Sequence, residues 1–337
     1  MTLALFWLQF AAASAITLGA SHFLTRSADV IAFKTGLGRS FIGIALLATA
    51  TSLPELGTTI SSEALIGEPD LAAGTIFGSN LFNLFIIGLL DILWRDGPIL
   101  NRVGKTPVVI GGLGIAIISL AAAAIFIHTT TAAMSGWYIS PISVVIFVVF
   151  LAAMYMLFRF ERSQERDSPP EASHDYALAS LPMVALTYLV SAAVIGGAAI
   201  WLASTADHIA GEMGWEASYV GTQFLALSTS LPELATSVAA IRLYAPELAI
   251  ANLLGSTLLN TGLILFLVDL AYPDGVLWAA ISQIHILTAA IAVIMTSVVI
   301  VALLKQRRRR PGRFWTVESV VLIGLYLAAS ILVFYLG

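Results

Sequence analysis

Long apolar runs separated by short polar stretches make up most of this chain of 337 residues. A helix crossing a bilayer needs about 20 mostly apolar residues. Ten segments fit that pattern: 3–22, 38–65, 71–93, 107–127, 137–158, 178–203, 216–242, 247–270, 276–304 and 315–336. The runs are continuously apolar and do not alternate with period two, which favours helices over the strands of a β-barrel. The pattern predicts an all-α membrane protein with ten transmembrane helices. The opening run, MTLALFWLQFAAASAITLGA, lacks a basic flank and is longer than the apolar core of a usual signal peptide. It is read as a retained first helix.

Composition agrees: 59% of residues are apolar, 11% are charged and mean hydropathy is +0.94, against roughly 25% charged residues in soluble domains. The chain has no cysteine, which excludes disulfides, thiolate metal sites and thiol catalysis. Net charge is −4, but its placement says more than its sum. Arg26, Lys34 and Arg39 lie between the first two spans, and Arg95, Arg102 and Lys105 between the third and fourth. Arg159, Arg162 and Arg166 lie between the fifth and sixth, Arg242 follows the seventh, and Lys305, Arg307 to Arg310 and Arg313 separate the last two. All 16 basic residues thus fall on one side of a ten-span plan. The positive-inside rule makes that side cytoplasmic and puts both termini outside. The Lys305–Arg313 run reads as a topology anchor rather than a lipid-binding site.

The sequence is internally duplicated. Ala28-Asp29-x-Ile31-Ala32 recurs as Ala206-Asp207-x-Ile209-Ala210, and Thr51 to Leu56 recurs as Thr229 to Leu234, both 178 residues on. After the motif the offset is 177, pairing Gly78-Ser79 with Gly255-Ser256 and Asn83 with Asn260. Five spans per copy is an odd number, so the second copy would enter the membrane inverted, an arrangement found in secondary transporters with a site near the midplane. Residues 1–158 form the first repeat, 159–177 a polar cytoplasmic linker and 178–337 the second repeat.

The duplicated core reads Thr-Ser-Leu-Pro-Glu. Pro54 and Pro232 lack an N–H, so each leaves a carbonyl four residues earlier without its helical donor. Glu55 and Glu233 follow, and an ionisable residue inside a span is a functional candidate by default. Thr51, Ser52, Thr229 and Ser230 add hydroxyls. Ser79 with Asn83, and Ser256 with Asn260, are spaced i, i+4 and so share a helix face. Two carboxylates, several hydroxyls, two amides and freed carbonyls are all hard oxygen donors. That inventory suits a hard cation, and Ca²⁺ better than Mg²⁺. Other polar residues read as structural. His22, His128, His174, His208 and His285 show no metal-ligand spacing, and Asp29 and Asp207 read as caps or access-path residues. Asp91 and Asp269 read as interfacial, Glu318 as snorkelling to the surface, and Ser180-Leu181-Pro182, which lacks the Glu, as a helix start.

With these motifs in view, the sequence resembles the calcium/cation antiporter superfamily, in its sodium/calcium exchanger branch of prokaryotic type. The resemblance rests on Thr51-Ser-Leu-Pro-Glu-Leu56 with Gly78-Ser79-Asn80-x-x-Asn83, and on Thr229-Ser-Leu-Pro-Glu-Leu234 with Gly255-Ser256-x-x-x-Asn260. It implies cation sites between the second, third, seventh and eighth spans. Glu55 and Glu233 would bind Ca²⁺ and compete for the counter-ion, and Ser52, Ser79, Ser230 and Ser256 would offer hydroxyls. The carbonyls of Ala48, Thr51, Ala226 and Thr229 would complete sodium sites, with Asn83 and Asn260 central. The resemblance further implies alternating access, the first and sixth spans moving against the rest. Three departures stand out: Asn260 where many relatives carry Asp, and Thr75 and Thr257 where Asn is common. Without a third carboxylate the site charge is at most −2. The chain is then expected to use fewer Na⁺ per Ca²⁺ or to lean on protons.

The function expected from sequence is thus Ca²⁺/Na⁺ antiport, with an H⁺-driven or K⁺-assisted antiporter as the alternative. The transported ions Ca²⁺, Na⁺ or H⁺ and the lipid bilayer are the expected partners, with no cofactor and no nucleic acid. The absence of cysteine and the short linker fit a prokaryotic inner membrane. An ion channel is disfavoured by the inverted duplication. An intramembrane enzyme is disfavoured because HExxH and a Gly-x-Gly-Asp pair are both missing.

Overall fold

The computed structural model describes residues 3–61, 69–94, 96–130, 138–164, 176, 179–214, 223, 225–273, 275–305 and 315–336. Its long helices are α1 (Leu3–Thr35), α2 (Arg39–Ile60), α3 (Pro69–Leu93), α4 (Thr106–Thr130) and α5 (Pro141–Gln164). They continue as α6 (Leu181–Met213), α7 (Leu231–Arg242), α8 (Pro246–Ala271), α9 (Ile284–Lys305) and α10 (Val317–Leu336). Nine helices among the described residues are long and apolar enough to cross a membrane. The expected seventh span, 216–242, falls partly outside the described residues; what is described of it is α7 and the turn Ala226–Thr229. The expected start of the ninth span at 276 is corrected: Leu277–Ala280 is a separate turn, and α9 begins at Ile284.

α3 and α8 form the centre. In each, 78% of the most apolar stretch is buried by protein, against 11% in α1, whose apolar surface is left for lipid. α8 packs on α2, α3 and α4, and α9 fills the space between α3 and α4. Close approach of α2 to α8 depends on small residues. A Cβ on Gly43 would lie 2.8 Å from the Ala251 Cβ and 3.0 Å from the Leu248 carbonyl, and one on Gly255 would lie 3.0 Å from Ile44. α1 runs along α6 and also touches α7. Each of α1 and α6 has 33 residues, about 50 Å of helix, well beyond the roughly 30 Å hydrocarbon layer. Sequence reading ended the first span at residue 22 because charges follow it. The helix continues because Asp29 is neutralised there by Arg39, at 2.6 Å.

Asp91 and Asp269 are not interfacial, as their span-end positions suggested, but buried at 3% and 0% exposure. Asp91 Oδ1 accepts the N–H of Ile99, and Asp269 Oδ1 that of Leu277, each at 2.8 Å and each eight residues on. The second oxygens reach across the molecule. Asp91 Oδ2 accepts from the hydroxyls of Thr316 and Ser319 at the start of α10. Asp269 Oδ2 accepts from the Ser143 hydroxyl (2.6 Å) and the Ser140 N–H (3.0 Å) at the start of α5. One buried carboxylate thus closes the corner after its own helix and caps a helix of the other half, satisfying donors that lipid would leave orphaned.

The offset between the copies also finds a structural reason. Asn83 pairs with Asn260 at 177 residues, yet Asp91 pairs with Asp269 at 178. Between them α8 takes a π-helical turn, Asn260–Ile264, while α3 stays α-helical throughout. A π-turn accommodates one extra residue in a helix, and it begins at Asn260.

Candidate cation site

Both Thr-Ser-Leu-Pro-Glu motifs fold the same way. A short α-helical turn, Thr49–Thr51 or Ala226–Thr229, ends at a serine outside helical geometry: Ser52 at φ −85, ψ 2 and Ser230 at φ −89, ψ 8. A fresh helix follows, Leu53–Ser61 or Leu231–Arg242, with proline and glutamate in its first turn. Proline is tolerated there because the first-turn N–H groups have no intrahelical partner anyway. The same geometry places Glu55 and Glu233 at a helix N-terminus, where the backbone dipole favours negative charge. The helices are kinked rather than unwound: Ser52 and Ser230 still donate to the carbonyls of Ala48 and Ala226 (2.9 and 3.0 Å). The donors that proline removes are those to Ala50 and Ser228.

The side chains converge in a crossed pattern. Ser230 Oγ donates to Glu55 Oε1 at 2.8 Å, and Ser79 Oγ to the same oxygen at 3.3 Å. Ser52 Oγ donates to Glu233 Oε1 at 3.3 Å, and Ser256 Oγ at 3.4 Å. Each carboxylate is therefore held by one hydroxyl from the following helix of its own half and one from the motif of the other half. Thr229 flanks Glu55, and Thr51 flanks Glu233. Glu55, Glu233, Thr51, Thr229, Ser79, Ser230, Ser256, Asn83 and Asn260 have no solvent exposure, and Ser52 has 1%.

Several acceptors in this cluster have no protein partner. Glu55 Oε2, Glu233 Oε2 and the amide oxygens of Asn83 and Asn260 are all buried without a hydrogen bond. Buried polar atoms are nearly always satisfied, and a buried anion without a partner costs several kcal/mol. Oxygen atoms of this hardness are what a hard cation requires. Among the described residues no group of three or more His, Cys, Asp or Glu gathers, so the two glutamates are the charge available and neutral oxygens supply the rest.

Of the twelve residues picked out by sequence, eight polar side chains are brought together by these contacts, and Asn83 and Asn260 lie buried one turn beyond Ser79 and Ser256 on α3 and α8. The Ala48 and Ala226 carbonyls sit one turn before the motif serines, accept their N–H groups (2.9 and 3.0 Å) and also accept the hydroxyls of Thr51 (3.4 Å) and Thr229 (3.3 Å). Sequence reading gave no role to a supporting set, of which only Asn80 stood in a quoted motif. Asn252 donates to Thr236 (3.1 Å) and Ser237 (3.2 Å) on α7, and Thr51 donates to Asn252 Oδ1 at 3.4 Å, so one amide ties α7 to α2. Asn80 donates to Thr261 at 2.8 Å and ties α3 to α8. An asparagine inside a span is a signal in its own right, and Asn252 stands 177 residues from Thr75, one of the noted departures. Among the described residues the histidines stay outside: His128 bonds Ser140, His208 stacks on Phe6, and His285 lies against Phe77 and Asp70; His174 lies outside the described residues.

The fold and this buried oxygen cluster define a multi-pass helical membrane protein built around an acidic intramembrane site. The profile of the family described as sodium/calcium exchanger protein matches residues 5–156 and again 183–335. The chain belongs to that family; it is a membrane antiporter and not an enzyme. Among its relatives, the inner membrane protein YrbG of Escherichia coli is 26% identical over 298 residues, 86% of each chain. The sodium/calcium exchanger MaX1 of Methanosarcina acetivorans is 25% identical over 363 residues, covering 94% of this chain and 95% of that one. The fold is that of a solved sodium-calcium exchanger, NCX_Mj, soaked with 2.5 mM Na⁺ and 10 mM Sr²⁺: TM-score 0.72, 18% identity, 97% of this chain and 98% of that chain.

Proposed function

We propose that this protein exchanges Ca²⁺ for Na⁺ across a membrane by alternating access. The observation that carries the reading is the crossed pairing of Ser230 with Glu55 and Ser52 with Glu233, which makes one cation cage from two halves of the chain. Glu55 and Glu233 supply the charge, and Ser52, Ser79, Ser230, Ser256, Asn83 and Asn260 supply neutral oxygens. The hydroxyl and carbonyl oxygens of Thr51 and Thr229 and the carbonyls of Ala48 and Ala226 extend the cage for Na⁺. In this reading the chain is two inverted five-helix repeats, 1–158 and 178–337, joined by a cytoplasmic linker, with both termini outside and the membrane a prokaryotic inner membrane. The repeated Asp91 and Asp269 caps support the duplication, and the one-sided placement of Lys and Arg supports the orientation.

The test is ⁴⁵Ca²⁺ uptake into proteoliposomes under an outward Na⁺ gradient, repeated under an outward H⁺ gradient. Uptake driven by Na⁺ and lost in Glu55→Gln and Glu233→Gln supports the proposal. Uptake only with H⁺ replaces it with proton exchange at the same two carboxylates, which two protons would neutralise as well as one Ca²⁺. Repeating the Na⁺ arm with the membrane potential clamped reads the coupling ratio that a site with two negative charges sets.

A further inference from the structure

The end of α1 and the start of α2 meet in an ion pair that belongs to no cation site. Arg39 donates through Nε to Asp29 Oδ1 at 2.6 Å and through a terminal nitrogen to Oδ2 at 3.1 Å, a two-pronged contact. Tyr176 adds its hydroxyl to Asp29 Oδ2 at 3.1 Å. Burial and the adjacent Asp29 carboxylate push that phenol up to about 12, so it stays a donor at neutral pH. The Asp29 side chain is 2% exposed and that of Arg39 is 31% exposed. Separating the pair would strand a buried carboxylate unless Asp29 itself moved toward water, taking α1 with it.

Arg39 sits on the fixed side of this contact. The carboxylate of Glu161 on α5 lies against Gly38, so closely that a Cβ there would collide with it, and it faces the backbone N–H groups of Ser40 and Phe41. Thr106 at the start of α4 donates to the same carboxylate at 2.5 Å. The start of α2 is thereby bound to α4 and α5. Arg39 also lines a cavity of about 390 Å³ with Asp96, Arg102 and Glu247. Glu247, at the start of α8, offers its guanidinium a second carboxylate.

The duplicated sequence shows that this contact is one-sided. Asp29 has its counterpart in Asp207, but the residue 178 positions after Arg39 is Ala217, which cannot ion-pair. In an inverted duplication the two end states of a carrier are related by exchanging the halves. Their energies therefore differ only through differences between the two sequences.

We infer that Asp29, Arg39 and Tyr176 form a cytoplasmic latch that holds α1 against α2 and biases the carrier toward its cytoplasm-closed state, with Glu247 receiving Arg39 on opening. The inference rests on the alternating-access reading and topology above. It makes the duplicated carrier asymmetric by means of a contact remote from the ions.

The chain has no cysteine, so Thr35→Cys with Lys105→Cys, two exposed positions flanking the latch, can carry spin labels on the full-length protein in nanodiscs. One dominant short distance is expected in this parent. Arg39→Ala and the isosteric Asp29→Asn are each expected to add a longer-distance population, raising the open-to-closed ratio at least about fivefold. Tyr176→Phe should give a smaller shift in the same direction. Distance distributions in Arg39→Ala and Asp29→Asn that match the parent would overturn the latch. Should Arg39→Ala fail to fold, Asp29→Asn and Tyr176→Phe decide the matter. ⁴⁵Ca²⁺ flux in the same preparations is read separately: a parent that folds but moves no Ca²⁺ defeats the exchanger reading, while the distances still report on the latch.

Discussion

Ser230 and Glu55 stand 175 residues apart and share a 2.8 Å hydrogen bond at the centre of the protein. The reciprocal pair, Ser52 and Glu233, spans 181 residues at 3.3 Å. Neither half can complete the site alone. Replacing either glutamate by glutamine removes one of two charges at a site with no solvent exposure. A loss of about 3 kcal/mol or more is expected, that is over about 100-fold in Ca²⁺ transport. ⁴⁵Ca²⁺ uptake checks it, with an unchanged gel-filtration profile showing that the fold survives. Transport near the parent level would remove the carboxylates from the mechanism.

The serines should not be equivalent. A hydrogen bond to a charged group is worth about 1.5–3 kcal/mol. The 2.8 Å contact of Ser230 should therefore count for more than the 3.3 Å contact of Ser79 on the same oxygen. Ser230→Ala is expected to weaken Ca²⁺ activation about 10-fold or more, and Ser79→Ala by less, in side-by-side titrations of uptake against Ca²⁺. The reverse order would show that the crossed bond is not the stronger support.

Asp91 and Asp269 predict a stability effect with no change of ion preference. Each satisfies backbone and side-chain donors of two helices from different halves. Asparagine would turn an NH₂ group toward some of those donors, at about 1–3 kcal/mol per unsatisfied group. Asp91→Asn and Asp269→Asn should each lower Tm in detergent while the ratio of Na⁺-driven to H⁺-driven uptake stays constant. A changed ratio at unaltered Tm would place these residues in ion handling instead.

Gly43 is the tightest point between α2 and α8. An added Cβ would meet Ala251 at 2.8 Å and the Leu248 carbonyl at 3.0 Å, and backbone cannot step aside as a side-chain tip can. Gly43→Ala is expected to cost about 1–3 kcal/mol by overpacking and to lower Ca²⁺ uptake by shifting Thr51 and Ser52 away from α8. Gly112→Ala, with nothing within 4 Å of its Cβ position, serves as the neutral control in the same melts and flux assays.

The sequence by itself determined the membrane character, most of the span positions, the duplication and the membership of the acidic cluster. Each depends on local chemistry. Lipid solvates about 20 apolar residues whatever lies beside them, proline ends a helix through its own missing N–H, and a repeat is visible as identity at constant offset. Tertiary structure decided which groups serve which. Hydropathy stops a helix at the first charges, so it could not see that Arg39 lets α1 run through Asp29. It read Asp91 and Asp269 as interfacial from their span-end positions, whereas donors from a distant helix satisfy them in the interior. It offered the Ser52 hydroxyl without naming its partner, and the fold gives it to Glu233. The clamp through Asn252 escaped for the same reason, while the π-turn at Asn260 left only a one-residue change in the repeat offset. A hydrogen-bond partner nearly two hundred residues away leaves no periodic trace in the chain, and packing of α2, α3, α7 and α8 makes the choice.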